Sequence, residues 1–162
     1  MKSADFKDFI SKVPTSVAIV SVENVNNNSE IAVTISSLNS VHASDKLCAV
    51  SFALKSDSYL ASFLKAGNSL TINYLSRDQV EIARKYSSFK NSSKLEYGNL
   101  NQIFDKNGVI KNCYLALRGI IHSSLSLDES VIYVVKVIDV IHSDPNQEPL
   151  VYLNRQYNIL DL

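Results

Sequence analysis

Glycine is scarce in this chain, with four in 162 residues, at Gly67, Gly98, Gly108 and Gly119. Neither a G-x-G-x-x-G dinucleotide fingerprint nor a phosphate-cradling P-loop can be built from them, because both need clustered glycines where backbone closely approaches phosphate. A dedicated Rossmann site is excluded. Cysteine is rarer still: Cys48 and Cys113 stand alone inside apolar runs, with no second thiol or imidazole at metal-ligand spacing. Both read as reduced core residues of a cytosolic protein, since free cysteine packs as a small hydrophobe. An excess of either charge is also missing. Sixteen basic residues balance sixteen acidic ones and the pI is near 6.8, so nothing builds the broad positive field of a general nucleic-acid binder. No run of about 20 apolar residues is present, and Met1-Lys2-Ser3-Ala4-Asp5 opens the chain without an apolar h-region. The expectation is a soluble, cytoplasmic protein whose partners include neither nucleic acid nor membrane.

Catalytic signatures are absent as well. There is no G-x-S-x-G, no H-E-x-x-H and no carboxylate pair at telling spacing. His42, His122 and His142 are far apart and read as structural or surface residues. A hydrolase or a metalloenzyme gains no support, and no metal ligands are assigned.

What is present is ordinary globular composition, 46% hydrophobic and 20% charged, in a length that suits one domain spanning residues 1–162. Phe6, Phe9, Ile10 and Val13 recur at helical spacing before Pro14. Strands are predicted at Ser16–Val22, Ile31–Leu38, Leu47–Leu54, Leu70–Leu75, Tyr114–His122 and Val131–His142, with an extended segment at Leu150–Tyr157. Asn26-Asn27-Asn28-Ser29 reads as a hairpin loop, and Asp144-Pro145-Asn146 as a turn. Helices are predicted at Asp57–Ala66 and at Arg77–Tyr86, the latter with Ser76 as N-cap and with Val80, Ile82 and Ala83 inward. Ser87–Asn112 is polar and long for a loop, a length usually tied to function. Six or seven strands, several apolar on both faces, point to a mainly β fold, a barrel with peripheral helices.

Three places offer binding chemistry. Thr34-Ile35-Ser36-Ser37-Leu38-Asn39-Ser40-Val41 gathers hydroxyls at a strand end, where they can serve one uncharged ligand surface or simply satisfy local backbone. Lys55-Ser56-Asp57-Ser58-Tyr59 puts hydroxyls and a cation at a helix start, which suits capping and also suits an anion. Arg84-Lys85-Tyr86 ends a helix, where positive charge complements the dipole unless a phosphate lies nearby.

In order along the chain, these pieces resemble the flavin reductase-like family, the FMN-binding split barrel. Pro14-Thr15-Ser16-Val17-Ala18-Ile19-Val20 is similar to the family's P-T-G-V-A-V-V strand, and Thr34–Val41 to its T-x-S-S-x-x-S-V motif. Lys55-Ser56 to Gly67 resembles the serine-containing turn and helix, and Leu70-Thr71-Ile72-Asn73-Tyr74-Leu75 the F-x-V-N-x-L strand. Glu81-Ile82-Ala83-Arg84-Lys85-Tyr86 is similar to E-L-A-R-R-F, and Pro149-Leu150-Val151-Tyr152 through Tyr157 to P-L-V-Y-x-x-x-x-Y. The likeness spans roughly Phe6 to Leu160.

The resemblance implies a homodimer of split barrels, each binding a flavin near the subunit interface, with FMN the first expectation and FAD possible. NADH or NADPH would be a transient co-substrate, giving hydride from nicotinamide C4 to flavin N5. Reduced flavin could then serve a monooxygenase partner. By the family pattern Thr34, Ser36, Ser37 and Ser40 would meet the ring and ribityl chain, with Ser51 and Phe52 lining it by backbone. Lys55, Ser56 and Ser58 would meet the phosphate with Arg84 close by; no catalytic side chain is assigned. Departures accompany the match. Asp128-Glu129-Ser130 stands for the family's G-D-H, Val135 for a strand glycine, Ser44-Asp45-Lys46-Leu47 for D-P-P-L, His42 for a serine and Tyr59 for a threonine. The missing G-D-H keeps a non-reductase FMN-binding flavoprotein, an electron carrier or flavin store, as the alternative. A third possibility is a split barrel binding haem, with His42 or His142 as axial ligand, or a purely structural dimer.

Overall fold

In the computed structural model, which describes residues 2–24, 29–87, 103–105, 107–142 and 147–159, helix α1 (Ser3–Ser11) leads into the two-residue strand β1 (Thr15–Ser16) and then β2 (Ala18–Asn24). Strands β3 (Ser29–Ile35), β4 (Asn39–Ser44), β5 (Leu47–Lys55) and β6 (Ser69–Tyr74) follow, and then helix α2 (Val80–Ser87). The long pair β7 (Leu115–Leu127) and β8 (Ser130–His142) comes next, before the short β9 (Leu150–Leu153) and β10 (Gln156–Ile159).

Seven strands form one antiparallel sheet in the order β3-β2-β6-β7-β8-β5-β4. Its two edge strands, β3 and β4, are consecutive in the chain, so residues 36–38 join the edges of the curled sheet. Ser37 fastens that seam: its hydroxyl accepts the Ala53 N–H at 2.9 Å and donates to the Ala53 carbonyl at 3.1 Å. One side chain thereby satisfies backbone groups where the strand ladder lapses. The remaining strands form a smaller sheet in the order β1-β9-β10. Three backbone bonds weld it to the barrel, from Val17 N to Leu150 O (3.2 Å), Leu150 N to Leu75 O (2.9 Å) and Leu75 N to Val17 O (2.9 Å). The architecture is mainly β, a split barrel, as the sequence led us to expect.

The doubly apolar character of β2 has a different source from barrel closure alone. Ala18, Val20 and Val22 enter the barrel core with Phe52, Leu60, Ile72, Ile121 and Val135. Val17 and Ile19, of opposite parity, enter a second core with Leu75, Ala83, Tyr86, Phe104, Ile110 and Cys113. Strand alternation supplies both faces, and each face has its own cover. Phe52 and Tyr133 stack inside the barrel with ring centroids 5.3 Å apart.

Several expectations need correcting. The second strand stops at Ile35, three residues short of Leu38, because Ser36 to Leu38 turns to form the seam; β4 was not foreseen. The helix expected at Asp57–Ala66 is a 3₁₀ turn, Tyr59–Phe63. Its flanks are tied, Ser56 N to Glu129 O and Gly67 N to Ile121 O, both at 2.9 Å, which leaves room for one tight connector. Arg77–Gln79 is likewise 3₁₀, and α2 proper runs to Ser87. Ser76 does start it: Ser76 N donates to Gln79 Oε1 at 3.0 Å and Gln79 N to Ser76 O at 2.9 Å. Leu150–Tyr157 is a hairpin and not one extended run, since Asn154 and Arg155 take φ of 51° and 61° at its tip. Asparagine accepts that conformation readily, whereas for arginine it costs about 1–2 kcal/mol. Cys113 is buried as expected, but Cys48 is exposed because β4 and β5 leave that end of the sheet open. Burial pushes the Cys113 thiol up to about 11.

Val135 at the family's glycine position is accommodated locally. A Cβ on Gly119, across the strand pair, would overlap Val135 Cγ1 and lie 2.9 Å from the Lys136 carbonyl oxygen. The small residue simply stands on the neighbouring strand. Residues 25–28, 88–102 and 143–146 lie outside the described residues, and with them fall most of the loop expected at Asn26–Ser29 and the turn expected at Asp144–Asn146.

Candidate functional site

The 36–38 seam also makes a hollow, because chain leaving β3 there turns away from α2 and from the β9–β10 hairpin. Thr34 holds one wall: its hydroxyl donates to the Ala83 carbonyl at 2.8 Å and so fastens β3 to α2. Beside it opens a cleft of about 720 Å³ lined by Thr34, Ser36, Arg84, Ser87, Arg155 and Tyr157, among others. A second cleft of about 760 Å³ lies under α1, with Lys7, Ile10, Val13, Ser37 and Asn39 on its walls. Ser36, Tyr152 and Arg155 line both, so the two clefts adjoin at those residues. Asn154 N donates to Ser11 O at 2.7 Å and thereby sets α1 over the second cleft.

The charge pattern of this hollow is lopsided. Among the described residues Lys7, Arg84 and Arg155 line it and no carboxylate does, in a chain of zero net charge. Arg84 meets the Glu81 carboxylate on the open face of α2, an exposed pair of small energetic weight. Asp8, on α1, is held below the usual carboxylate range, chiefly by the hydrogen bond and charge of Lys12 and in smaller part by Arg155. Burial raises the Tyr157 phenol, while a Ser87 hydrogen bond and the Arg84 charge oppose that shift. Tyr157 and Tyr152 pack edge to face at 5.3 Å, giving the cleft an aromatic wall.

The ten sequence-predicted residues divide. Thr34, Ser36, Ser37 and Arg84 are brought together around the joined clefts. Ser40 is exposed on β4, and Ser51, half-buried, pairs with Asn39 in the β4–β5 ladder. The Phe52 ring is committed to the barrel core, so what it offers a ligand is main chain. Lys55, Ser56 and Ser58 gather at the exit of β5 and do not line the hollow with Arg84. Ser56 Oγ donates there to the Glu129 carbonyl at 3.1 Å. Asp128-Glu129-Ser130 makes the β7–β8 turn, Asp128 having φ 51°. His42 is exposed, with Nε2 3.2 Å from Ser44 Oγ, and His122 is exposed in β7.

Sequence reasoning missed Arg155, Tyr157 as a wall residue, Ser87 and Lys7. A signal existed for Arg155: Asn154-Arg155 between two short β-prone runs is a two-residue hairpin tip, and its second member needs an unusual backbone. Read chemically, the hollow supplies hydroxyls, main-chain donors, cations and aromatic surface, with no acid–base pair or nucleophile converging on it. It suits a phosphorylated aromatic ligand that brings its own reactivity.

A different kind of hollow, about 580 Å³, crosses β2, β6, β7 and β8 on the outer face of the barrel. Ser21, Thr71, Arg118 and Asp139 form a row in direct cross-strand register there. Arg118 Nη2 donates to Asp139 Oδ2, while Ser21 and Thr71 hydroxyls point to the Gly108 and Asn107 carbonyls.

Known proteins give the same picture. The profile described as flavin reductase like domain matches residues 10–161. Among solved structures, an NADH:FAD oxidoreductase of Streptomyces globisporus C-1027 superposes with TM-score 0.81 at 18% identity, covering 97% of this chain and 92% of that one. The styrene monooxygenase flavin reductase of Pseudomonas putida S12 gives TM-score 0.82 at 16% identity, with 97% of each chain covered. The flavin reductase component of a bacterial two-component tryptophan halogenase gives 0.79 at 20%, with 98% of each chain covered. No curated protein matches the chain by sequence.

Proposed function

The chain belongs to the flavin reductase like domain family, a family of oxidoreductases, and on that premise we propose that it is an NAD(P)H-dependent flavin reductase that takes FMN, or FAD, and releases reduced flavin. The observation that carries the reading is the Thr34–Ser37 segment opening on clefts that, among the described residues, carry three cations and no carboxylate. When bound, the flavin supplies the hydride-accepting chemistry. The chain's own part is positioning. Ser36 and main chain of residues 36–40 would present N–H and O–H groups to the ring and ribityl chain, while Ser51 and Phe52 offer backbone beneath it. Ser37 and Thr34 hold that segment rigid, since their hydroxyls already fasten the seam and α2. Lys55, Ser56 and Ser58 form a compact group suited to the flavin phosphate. Likeness to the flavin reductases of a styrene monooxygenase and of a two-component tryptophan halogenase supports an oxygenase partner served by free reduced flavin.

The working unit would be a homodimer. Helix α1 buries none of its residues and leaves Phe6, Phe9 and Ile10 exposed, while Leu125, Leu127, Ile138 and Val140 stand exposed on β7 and β8. Apolar faces of this extent want cover. A monomer at micromolar concentration by gel filtration with light scattering would argue against it.

A second reading, a flavoprotein that stores or carries flavin without oxidising NAD(P)H, is favoured by one observation. Asp128-Glu129-Ser130, standing for the family's G-D-H, is a tight turn with no histidine. One experiment separates the two: anaerobic titration with FMN, then NADH in the same cuvette. Bleaching near ~450 nm within seconds supports the reductase. Perturbed bands without bleaching support the carrier, and unperturbed bands overturn both.

A further inference from the structure

We infer that Arg155 is a ligand-reading residue of this site, and that with Arg84 it receives the bridging phosphates of a dinucleotide. The inference rests on the flavin reductase reading and deepens it by naming the class of nucleotide that the hollow beside the β9–β10 hairpin takes.

Three observations carry it. The first is conformational: Arg155 sits in left-handed backbone at φ 61°, beside Asn154 at 51°. An arginine gains nothing for the turn from that placement, where glycine would fit without strain, so its side chain is the reason to look for a role. The second is position. Arg155 and Ser36 lie where the two clefts adjoin, and they line both. The third is charge. Lys7, Arg155 and Arg84 line the adjoining clefts, and among the described residues none of the lining is acidic.

Size narrows the ligand. Each cleft, at about 720 and 760 Å³, lies within the range that one ligand moiety of drug size fills. Adjoining at Arg155, they suit two moieties linked through an anionic bridge beside it. The Lys55–Ser56–Ser58 group lies apart from this hollow and has the chemistry for one monophosphate. The cations of the hollow therefore serve a second phosphorylated group, a pyrophosphate linking two nucleoside halves. Guanidinium is the apt reader, because its planar fork meets phosphate oxygens two at a time. Tyr152 and Tyr157 on the cleft walls offer ring surface to an adenine or nicotinamide half. Two dinucleotides have this chemistry, the nicotinamide coenzyme and FAD.

The test is equilibrium binding by calorimetry with the full chain and its Arg155→Gly and Arg155→Lys variants, using FMN, FAD, NADH and ADP-ribose as probes. Glycine removes the side chain while suiting the backbone, so the variant should melt no lower than the parent. The expected result is a loss of about tenfold or more in affinity for ADP-ribose and NADH, partial recovery with lysine, and FMN affinity within about twofold. Loss for FAD alone, with NADH and ADP-ribose unchanged, would assign the bridge to the flavin dinucleotide and support the inference equally. Unchanged affinity for both dinucleotides would overturn it, as would equal losses for FMN and the dinucleotides. Failure of the parent chain to bind FMN or FAD would instead strike the flavin reading, and ADP-ribose would then be read on its own: binding lost in Arg155→Gly upholds Arg155 as a pyrophosphate reader, and no binding overturns it.

Discussion

The hollow beside the β9–β10 hairpin and the groove across β2, β6, β7 and β8 are close in scale, yet their polar groups are used in opposite ways. In the groove, Arg118 meets Asp139, Ser21 and Thr71 reach loop carbonyls, and Gly108 brings loop backbone close. A Cβ at Gly108, whose φ is 73°, would lie 3.1 Å from Glu30 Oε1. Most donors there find acceptors within the protein, the buried Arg118 Nε being the exception among the described residues. In the hollow the charged lining residues among those described are all cationic, although Arg84 meets Glu81 on the open face of α2, and the hairpin tip holds an arginine in a strained conformation. Polar groups that answer one another build structure, whereas like charges collected round a cavity await a ligand. The groove is accordingly a joint, and the hollow a site.

The sharpest way to break that comparison is to disable the joint and ask whether the site notices. Asn73 is fully buried; its Nδ2 donates to Gly108 O at 3.2 Å and its Oδ1 accepts Ile110 N–H at 2.9 Å. Asn73→Ala would orphan the buried Ile110 N–H and leave the Gly108 carbonyl only its long Ser21 contact, at about 2–3 kcal/mol. Urea denaturation should show that loss, while nucleotide affinity of the folded fraction stays within about twofold. A large change in affinity with little loss of stability would mean that the 103–110 loop serves the site.

Asn73 also shows what was legible in the sequence. It belongs to the strand motif that resembles F-x-V-N-x-L, yet in this structure it is a clamp on loop backbone and touches neither cleft. Motif order carried the fold well, because opposite parity sends Ala18 and Ile72 into the barrel core and Val17 and Leu75 into the second core. The hydroxyls of Thr34 and Ser37, which the motif offers to a ligand, do mechanical work in the fold, fastening α2 and the seam. What the sequence hid was juxtaposition. Arg155 and Arg84 are 71 positions apart in the numbering and share a cleft only because the small sheet is welded to the barrel through Val17, Leu75 and Leu150. No local pattern reports such a weld. Similarly, Asp57–Ala66 has a helical apolar stripe, but its tied flanks limit it to a 3₁₀ turn.

A smaller effect sharpens the comparison from the acidic side. Glu30 sits half-buried at the groove, and burial lifts its pKa above the ordinary 4.5. The nearby charges of Glu23 and Asp105 push the same way, and a hydrogen bond from Ser21 pulls against them. Because the folded value is the higher one, the fold favours the protonated acid. Its contribution is fully present below the unfolded pKa and is lost as pH rises through the folded one. Glu30→Gln, which keeps an acceptor for Ser21 and abolishes the charge, should therefore be the more stable protein at pH 7. With the group partly exposed, the gain is on the order of 0.5 kcal/mol, and it should vanish near pH 4, where the parent is itself largely protonated. Urea midpoints at the two pH values measure it. A variant less stable than the parent at pH 7 would show that the Ser21 hydrogen bond to the carboxylate outweighs burial. The groove would then hold its anion as firmly as the hollow is meant to hold a ligand's, and the contrast between joint and site would lose its electrostatic basis.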